Sequence, residues 1–382
     1  KGASQALVLA REGPAWLADE AILLEQGHAR VRCAPRGVAA AITPWNFPLW
    51  QPLRSLMPAL LAGNTCALKP APQGTLTALL LRRCFEEAQL PRGVLRVLTG
   101  GAATGEALVR APLDAIAFTG SRAAGQRVAA AAAEGLKHAV LELGGSDPFL
   151  VLADADLDLA VRLAMEGRFR NAGQICISAK RFFVEEPLFD AFADRITAAA
   201  QALVVGDPAE PATQMGPLVS AAQRDLLHAQ VQASVAQGAR VRCGGAALPR
   251  KGWFYAPTVL DGVTDAMPVM TEETFGPVAP LVAVRDASEA VQRANATPFG
   301  LGASVVAGDV ERARRIAAQL EAGTVAINGL VHTDARVPFG GVKGSGVGRE
   351  LGRDGLRAWT DLRVVVSSLQ GLVASSQPQQ EP

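Results

Sequence analysis

Residues 38–68 read VAAAITPWNFPLWQPLRSLMPALLAGNTCAL and contain the units that determine the fold. Val38–Ile42 is a short apolar run typical of a buried strand, and Leu49–Leu61 has the length and apolar content of a helix. Gly63 stops that helix, and a second strand-like run follows at Thr65–Leu68. A strand, a helix and a strand in this order predict a parallel β-α-β unit.

The same alternation continues along the chain and restarts near residue 149. Repeated β-α-β units of this length imply parallel sheets with helices on both faces. The sequence therefore predicts an α/β fold with two doubly wound parallel-sheet domains. The further predicted strands are Val94–Leu98, Ala115–Phe118, Ala139–Leu143, Phe149–Leu152, Arg181–Val184, Ala279–Val284, Gly302–Val306 and Thr324–Ile327.

Composition narrows the possible partners. The chain has 382 residues and a formal net charge of +1, with 37 Lys and Arg against 36 Asp and Glu. A basic stripe interleaved with aromatics is absent, which argues against nucleic acid, and no apolar run reaches the roughly 18 residues of a membrane span. The five cysteines are scattered and never spaced C-x-x-C, which argues against a metal site and for a reducing cytoplasm. A small-molecule substrate fits this composition.

Several polar residues fall where strands end or loops turn. Cys176 follows Asn-Ala-Gly-Gln-Ile, and a lone cysteine is more often an inert packing residue than a nucleophile. Its company changes that balance. Glu142 ends an apolar strand before two glycines, Asn46 lies in the rigid turn PWNFP, and Lys69 ends another strand. Gly120 and Gly125 bracket a loop between a strand and a helix, where a phosphate group can bind the helix N-terminus.

Together these motifs resemble the aldehyde dehydrogenase superfamily, and most closely its succinate-semialdehyde dehydrogenases. Seven motifs occur in family order, and the resemblance extends from about residue 17 to residue 366. They are PWNFP (44–48), LKPA (68–71), FTGS with a later Gly (118–125), ELGG (142–145), GQIC (173–176), EETFGP (272–277) and PFGGVKGSGVGRE (338–350).

The resemblance implies a covalent mechanism. Cys176 would attack the aldehyde as a thiolate, so its reference pKa of about 8.5 must be lowered or the thiol transiently deprotonated. The Asn46 amide and the backbone N–H of Cys176 would stabilise the oxyanion. Hydride loss would leave a thioester, which water activated by Glu142 as general base would hydrolyse. Taken alone, Glu142 reads as an ion-paired strand end and Asn46 as a turn residue.

The resemblance also implies NADP or NAD as the cofactor, although no G-x-G-x-x-G fingerprint is present. NAD-preferring relatives often carry a glutamate three residues after the LKPA lysine, whereas this chain has Pro72, which cannot exclude a 2′-phosphate. We therefore expect NADP to be used at least as well as NAD. The residues assigned to the cofactor are Trp45, Lys69, Gly120, Ser121, Gly125, Glu273 and Phe275.

Three residues match the substrate-binding positions of succinate-semialdehyde dehydrogenases. They are Arg54, Arg170 and Thr333. Two buried cations near the nucleophile would demand an anion, although either arginine could instead pair with a structural carboxylate. Succinate semialdehyde is therefore the favoured substrate. The alternatives are glutarate semialdehyde, an aromatic aldehyde, or a truncated and catalytically inactive family member.

The resemblance also implies a division of the chain into domains and assembly into a homodimer or homotetramer. The helical section usual at the family's N-terminus is expected to be missing before Lys1. The expected divisions are a cofactor-binding domain (1–16 and 36–144), a catalytic domain (145–344), a return to the cofactor-binding domain (345–359), oligomerisation strands (17–35 and 360–370) and a disordered tail (371–382).

Overall fold

The computed structural model of the protein describes residues 1–25 and 27–368. The tail predicted to be disordered, 371–382, lies outside the described residues. The chain divides into two compact units. The first unit contains residues 1–141, 333–339 and the described residues from 348 onward, and the second contains 142–332 and 340–347. Residues 333–339 of the expected catalytic domain fall in the first unit, and residues 142–144 and 345–347 of the expected cofactor-binding domain fall in the second.

Strands and helices alternate through both units. The strands are β1 (Glu20–Leu24), β2 (Gly27–Pro35), β3 (Val38–Thr43), β4 (Thr65–Pro70), β5 (Leu95–Val97), β6 (Ala115–Thr119), β7 (His138–Glu142), β8 (Asp147–Val151), β9 (Ala179–Glu185), β10 (Arg240–Cys243), β11 (Thr258–Asp261), β12 (Val278–Val284), β13 (Gly302–Val306), β14 (Thr324–Ile327), β15 (Gly346–Val347) and β16 (Thr360–Ser368).

The α-helices flank these strands. They are α1 (Gly2–Trp16), α2 (Trp50–Leu61), α3 (Thr75–Glu87), α4 (Ala102–Arg110), α5 (Arg122–Glu134), α6 (Leu157–Phe169), α7 (Glu186–Gln201), α8 (Ala221–Ala236), α9 (Pro268–Thr271), α10 (Ala287–Asn295), α11 (Val310–Ala317) and α12 (Gly352–Arg357).

The first unit is built on a sheet with the strand order β7-β6-β3-β4-β5. Its central strand, β3, pairs in parallel with β4 on one side and β6 on the other. The small side chains of Ala39 and Ala41 are almost completely buried, and they pack with Leu56 of α2 and Leu68 of β4 in one apolar core. Small residues on the central strand let the covering helices approach the sheet closely.

The second unit has a seven-stranded sheet in the order β10-β11-β12-β9-β8-β13-β14. Six strands are parallel, and β10 joins the edge antiparallel to β11. The central strands are buried on both faces. Phe149 of β8 and Phe182 of β9 are fully buried, and their ring centroids lie 5.4 Å apart. Continuous apolar runs are what a parallel sheet covered on both faces requires.

A separate antiparallel sheet has the order β1-β2-β16. Strand β16 pairs with β2 over nine positions, from Thr360 opposite Pro35 to Ser368 opposite Gly27. Its apolar side chains remain exposed: Leu23 is 88% and Leu362 65% exposed. An exposed apolar sheet of this kind offers a surface for pairing with another chain.

The predicted α/β class is confirmed, but six strands and α-helices of the described chain were not predicted. They are helix α1, which contains Pro14, the strands β10 and β11 at one sheet edge, the two-residue strand β15, and the short helices α9 and α12. Across the described parts of the chain, no helix is both long and apolar enough to cross a membrane.

Candidate active site in the second unit

The candidate nucleophile follows a stretch of left-handed backbone. Between α6 and β9, Asn171 has φ 53°, Ala172 has φ 52° and Gly173 has φ 71°. A left-handed conformation costs an L-residue about 1–2 kcal/mol, so Asn171 and Ala172 are held there by their surroundings. Cys176, partly exposed, comes three residues after Gly173. The local sequence therefore presents the thiol from a strained loop.

Arg168 holds this loop in place. Its guanidinium is fully buried and donates to the carbonyl oxygens of Ala179 (3.0 Å), Gly173 (3.2 Å), Thr274 (3.1 Å) and Gly276. Burial lowers its pKa to about 9, and the charge of the nearby Glu273 carboxylate opposes that shift. One arginine thus ties the nucleophile loop to the EETFGP segment, and the sequence analysis did not identify it.

Gln174 fixes the loop from its other side. Its Oε1 accepts from the backbone N–H of Val219 at 2.9 Å, and its Nε2 donates to the carbonyl oxygen of Asn171 at 3.1 Å. Asn171 Nδ2 donates in return to the Gln174 carbonyl at 3.3 Å. Side-chain hydrogen bonds therefore hold the loop at both ends, and they keep Cys176 in one position.

The turn after Glu142 packs against the same loop. Glu142 is the last residue of β7 and only 3% exposed. A Cβ placed on Gly144 would lie 2.0 Å from Glu273 Oε2, and one on Gly145 would lie 3.2 Å from the Cys176 carbonyl oxygen. The Gly145 N–H donates to Glu273 Oε1 at 3.2 Å. A side chain at Gly144 would therefore displace the Glu273 carboxylate, and the turn lies close to both that carboxylate and the main chain of Cys176.

A buried lysine lies beneath this arrangement. Lys180 Nζ donates to the carbonyl oxygens of Cys176 at 2.6 Å and Ile175 at 3.2 Å, and lies 3.4 Å from Glu273 Oε1. Asp147 is also buried nearby, and burial raises its pKa to about 7 although the Lys180 charge lowers it. Within the described residues, no group of three or more His, Cys, Asp or Glu could hold a metal ion.

The second unit thus brings together Cys176, Glu273 and the turn that follows Glu142, as the motifs suggested. Phe275, also partly exposed, is in the same segment as Glu273, and its carbonyl oxygen accepts from Gln223 Nε2 at 3.0 Å. Lys180 and Arg168 were missed as site residues. Their only sequence signal was a basic residue close to the motif cysteine, which ordinarily indicates a solvated charge.

The first unit contains five of the seven residues assigned to the cofactor, whereas Glu273 and Phe275 are in the second. A cleft of about 390 Å³ lies beside the carboxyl ends of β3, β4 and β6 and is lined by Lys69, Phe118 and both apolar and charged residues of α4 and α5. Burial lowers the pKa of Lys69. Ser121 caps α5, its Oγ accepting from the Ala124 N–H at 3.4 Å, and Gly125 is buried in the first turn. A cleft with apolar and charged residues beside a helix N-terminus fits a dinucleotide.

Close packing also explains Gly120. A Cβ at this position would lie 2.6 Å from the ring of Phe118, so a larger residue would displace the ring from the cleft. Trp45 and Asn46 lie in the same unit, in the turn between β3 and α2, and both are half-buried.

The two arginines have protein partners. Arg54 is 2% exposed, and its Nη2 lies 2.6 Å from Oε2 of Glu350, itself 3% exposed. Arg170 lies on the surface, 3.5 Å from Glu166, with half of each side chain exposed. Our expectation that two buried cations would demand an external anion is wrong, because one arginine is already neutralised and the other is not buried. Thr333 Oγ1 accepts from Lys1 Nζ at 3.1 Å.

Comparison with known proteins extends the motif resemblance to most of the chain. The profile of the aldehyde dehydrogenase family matches residues 6–365. The chain belongs to this family. It is 45% identical over 357 residues to a succinate semialdehyde dehydrogenase [NAD(P)+], Sad, of Escherichia coli K12, covering 93% of this chain and 77% of that protein. It is 46% identical over 338 residues to a succinate-semialdehyde dehydrogenase [NADP(+)] of Mycolicibacterium paratuberculosis, covering 88% and 72%.

Solved structures agree with the family assignment. Lactaldehyde dehydrogenase from Escherichia coli superposes with a TM-score of 0.93 at 34% identity, over 96% of this chain and 78% of that one. Betaine aldehyde dehydrogenase from Staphylococcus aureus in complex with NAD+ gives 0.89 at 32% identity, over 92% and 71%. The predicted aldehyde dehydrogenase fold is therefore confirmed.

Proposed function

We propose that this member of the aldehyde dehydrogenase family oxidises succinate semialdehyde to succinate with NAD(P)+, through a thioester on Cys176. The observation that carries the proposal is the position of the Cys176 main chain. It lies against the turn after Glu142, and Lys180 links it to the Glu273 carboxylate. The substrate follows the printed names of the two curated relatives at 45% and 46% identity.

The first step forms a carbon–sulfur bond. The Cys176 thiolate attacks the aldehyde carbon, and the carbonyl π electrons move to oxygen. Donors for that oxyanion are the backbone N–H of Cys176 and, from the family motif, the Asn46 amide. A donor of this type contributes about 3–4 kcal/mol to transition-state stability.

The second step converts the adduct to product. NAD(P)+, when bound, supplies the hydride acceptor for the former aldehyde carbon. Glu142 then removes a proton from water, the hydroxide attacks the thioester carbonyl, and the carbon–sulfur bond breaks to regenerate the thiolate. Aldehyde, NAD(P)+ and water thereby give carboxylate, NAD(P)H and two protons.

The cofactor residues proposed are Trp45, Lys69, Gly120, Ser121, Gly125, Glu273 and Phe275. We propose that NADP+ is used at least as well as NAD+. Pro72 begins a short 3-10 helix three residues after Lys69 and supplies no carboxylate. Arg110 and Arg127 line the same cleft as Lys69, together with Glu106 and Glu134, so the lining has one more cationic than anionic group. An excess of cations favours the additional 2′-phosphate. A strong preference for NAD+ in kcat/KM would contradict this proposal.

For the substrate carboxylate we propose Arg170 as the main partner, assisted by Arg54 and Thr333. Arg170 has a long and exposed contact with Glu166, and such surface pairs contribute only about 0–1 kcal/mol, so exchange for a substrate carboxylate costs little. Arg54 has five N–H donors, and the contact with Glu350 at 2.6 Å uses only part of this capacity.

We also propose a homodimer or homotetramer in the cytoplasm. The exposed sheet β1-β2-β16 supports the oligomer, and five free cysteines support a reducing compartment. Light scattering tests the oligomer: a double variant V364E/V366E on the exposed sheet should lower the mass, whereas the control L136E, at a site 94% exposed outside the sheet, should not. A monomeric wild type at micromolar concentration contradicts the proposal.

Steady-state turnover tests the function. Succinate semialdehyde, glutarate semialdehyde, benzaldehyde and butyraldehyde are compared with each cofactor, and Cys176→Ser serves as the inactive control. We expect the highest kcat/KM with succinate semialdehyde. A higher kcat/KM with another aldehyde would show that the other aldehyde is the substrate. Full turnover by Cys176→Ser would contradict the thioester mechanism.

A further inference from the structure

Lys180 is a buried charge placed directly under the nucleophile. Its side chain is 0% exposed on β9, four residues after Cys176. Lysine is almost never fully buried unless its ammonium group is paired, because removing the charge from water is costly. The family chemistry described above gives Lys180 no role, so its burial needs a local explanation.

The three donors of the ammonium group account for its burial. Two hydrogen bonds go to the carbonyl oxygens of Cys176 and Ile175, at 2.6 and 3.2 Å. The third direction faces Glu273 Oε1 at 3.4 Å, and that oxygen also accepts from the Gly145 N–H. Lys180 therefore joins the peptide of the nucleophile to a carboxylate that also holds the turn after Glu142.

Other charges surround this group from the neighbouring elements. Asp147 on β8 and Glu273 in the EETFGP segment are the acidic groups, and Arg168 and Arg181 are the basic ones. Of the charged groups here, Lys180 donates directly to the carbonyl oxygen of Cys176. Its positive charge favours a negative charge on the adjacent thiol.

We propose that Lys180 is a positioning residue that fixes the main chain of Cys176 and, through its charge, favours the thiolate. This inference rests on Cys176 being the nucleophile of the proposed function. The hydrogen bonds to the Ile175 and Cys176 carbonyl oxygens orient the main chain of Cys176. The contact with Glu273 keeps the Lys180 ammonium group in place. A positioning role predicts changed thiol reactivity, whereas a purely structural role predicts changed stability alone.

The test measures alkylation of Cys176 by iodoacetamide against pH, without aldehyde or cofactor, by mass spectrometry of the labelled peptide. Cys84, which is exposed, and Cys66, whose pKa burial raises to about 12, are internal references in each sample. Because neither substrate nor cofactor is present, failure of the proposed dehydrogenase activity leaves this result interpretable.

Three variants separate charge from hydrogen bonding. Lys180→Met removes both, Lys180→Gln keeps a neutral donor, and Lys180→Arg keeps the charge. We expect Met and Gln to slow Cys176 alkylation about tenfold at pH 7 and to shift its pH profile upward, as loss of a nearby opposite charge requires. Arg should restore most of the rate, and Cys84 should react equally throughout.

Lys137→Met is the matched structural control. Lys137 also donates to two backbone carbonyls, those of Val109 and Ala111, but contacts no residue of the candidate site. Its removal should lower the melting temperature without changing Cys176 alkylation. Wild-type alkylation in Lys180→Gln, or in Lys180→Met if that variant folds, overturns the proposal. A slow Lys180→Arg overturns the charge argument.

Discussion

The buried ion pair between Arg54 and Glu350 allows two roles of Arg54 to be tested separately. One is to stabilise the fold, and the other is to bind the substrate. Nη2 and Oε2 lie 2.6 Å apart, and neither side chain is more than 3% exposed. Ser55 Oγ donates to the other oxygen of Glu350 at 2.8 Å, and the Arg54 guanidinium lies 5.1 Å from the centre of the Phe339 ring. Removing the arginine would leave a buried carboxylate with one hydroxyl partner.

The expected cost follows from that geometry. Removing one member of a buried ion pair destabilises a protein by about 3–5 kcal/mol, because an uncompensated charge remains. At about 2–4 °C per kcal/mol for a unit of this size, Arg54→Met should lower Tm by roughly 6–20 °C. The double variant Arg54→Met/Glu350→Gln leaves no buried charge, and it should recover most of the loss.

The double variant then makes the substrate assay interpretable. We expect its kcat/KM for succinate semialdehyde to fall about tenfold, as loss of about 1.4 kcal/mol of shared carboxylate binding requires, while butyraldehyde is unaffected. Tm is measured by tryptophan fluorescence and turnover by NAD(P)H absorbance. An Arg54→Met variant as stable as wild type refutes the ion-pair argument. Equal losses for both aldehydes show that Arg54 serves the fold alone.

Three further predictions concern the candidate site and the fold. Glu142→Gln should give a burst of one NAD(P)H per subunit and then stall, measured by stopped flow; steady turnover would contradict its role as base. The Tm of the Asp147→Asn variant should not show the decrease that the wild type shows as pH rises from about 4 to 7. The native pKa of Asp147, about 7, exceeds the unfolded value, so wild-type stability falls as pH rises from about 4 to 7, by at most about 4 kcal/mol; parallel Tm curves would contradict this. Arg170→Ala should lower kcat/KM for succinate semialdehyde ten- to a hundredfold with little change in Tm, since its pair is exposed; an equal loss with butyraldehyde would contradict it.

Most strands of the two parallel sheets were predictable because buried strands are continuous apolar runs, whereas β10 and β11 at one edge were not. The run Val38–Ile42 became β3 with one residue added, and the run Gly302–Val306 became β13 unchanged. Helix α1 was not predicted, because Gly13 and Pro14 interrupt it. The structure explains Gly13: an added Cβ would lie 2.5 Å from Leu61 Cδ2, so helix packing selects glycine there at the expense of helix propensity.

The site was predictable only as far as short motifs extend. Motif residues such as Cys176 and Glu273 are recognisable because their order and spacing are specific. Arg168 lies in the last turn of α6, where a cation ordinarily complements the helix dipole. Two of its four carbonyl contacts are to Thr274 and Gly276, more than one hundred residues away, so no local pattern indicates them. The partner of Arg54, Glu350, is nearly three hundred residues distant, so no local pattern could identify the pair.

The left-handed stretch before Cys176 has a consequence for protein engineering. Asn171 and Ala172 occupy a backbone region that glycine adopts freely, so a search for stabilising substitutions would select both positions. Glycine at these positions would relieve backbone strain and raise the melting temperature. It would also let the loop sample other conformations, so that Cys176 would be less well positioned for catalysis. A thermostable version of this chain is therefore better sought on its exposed loops, with the strained residues left as they are.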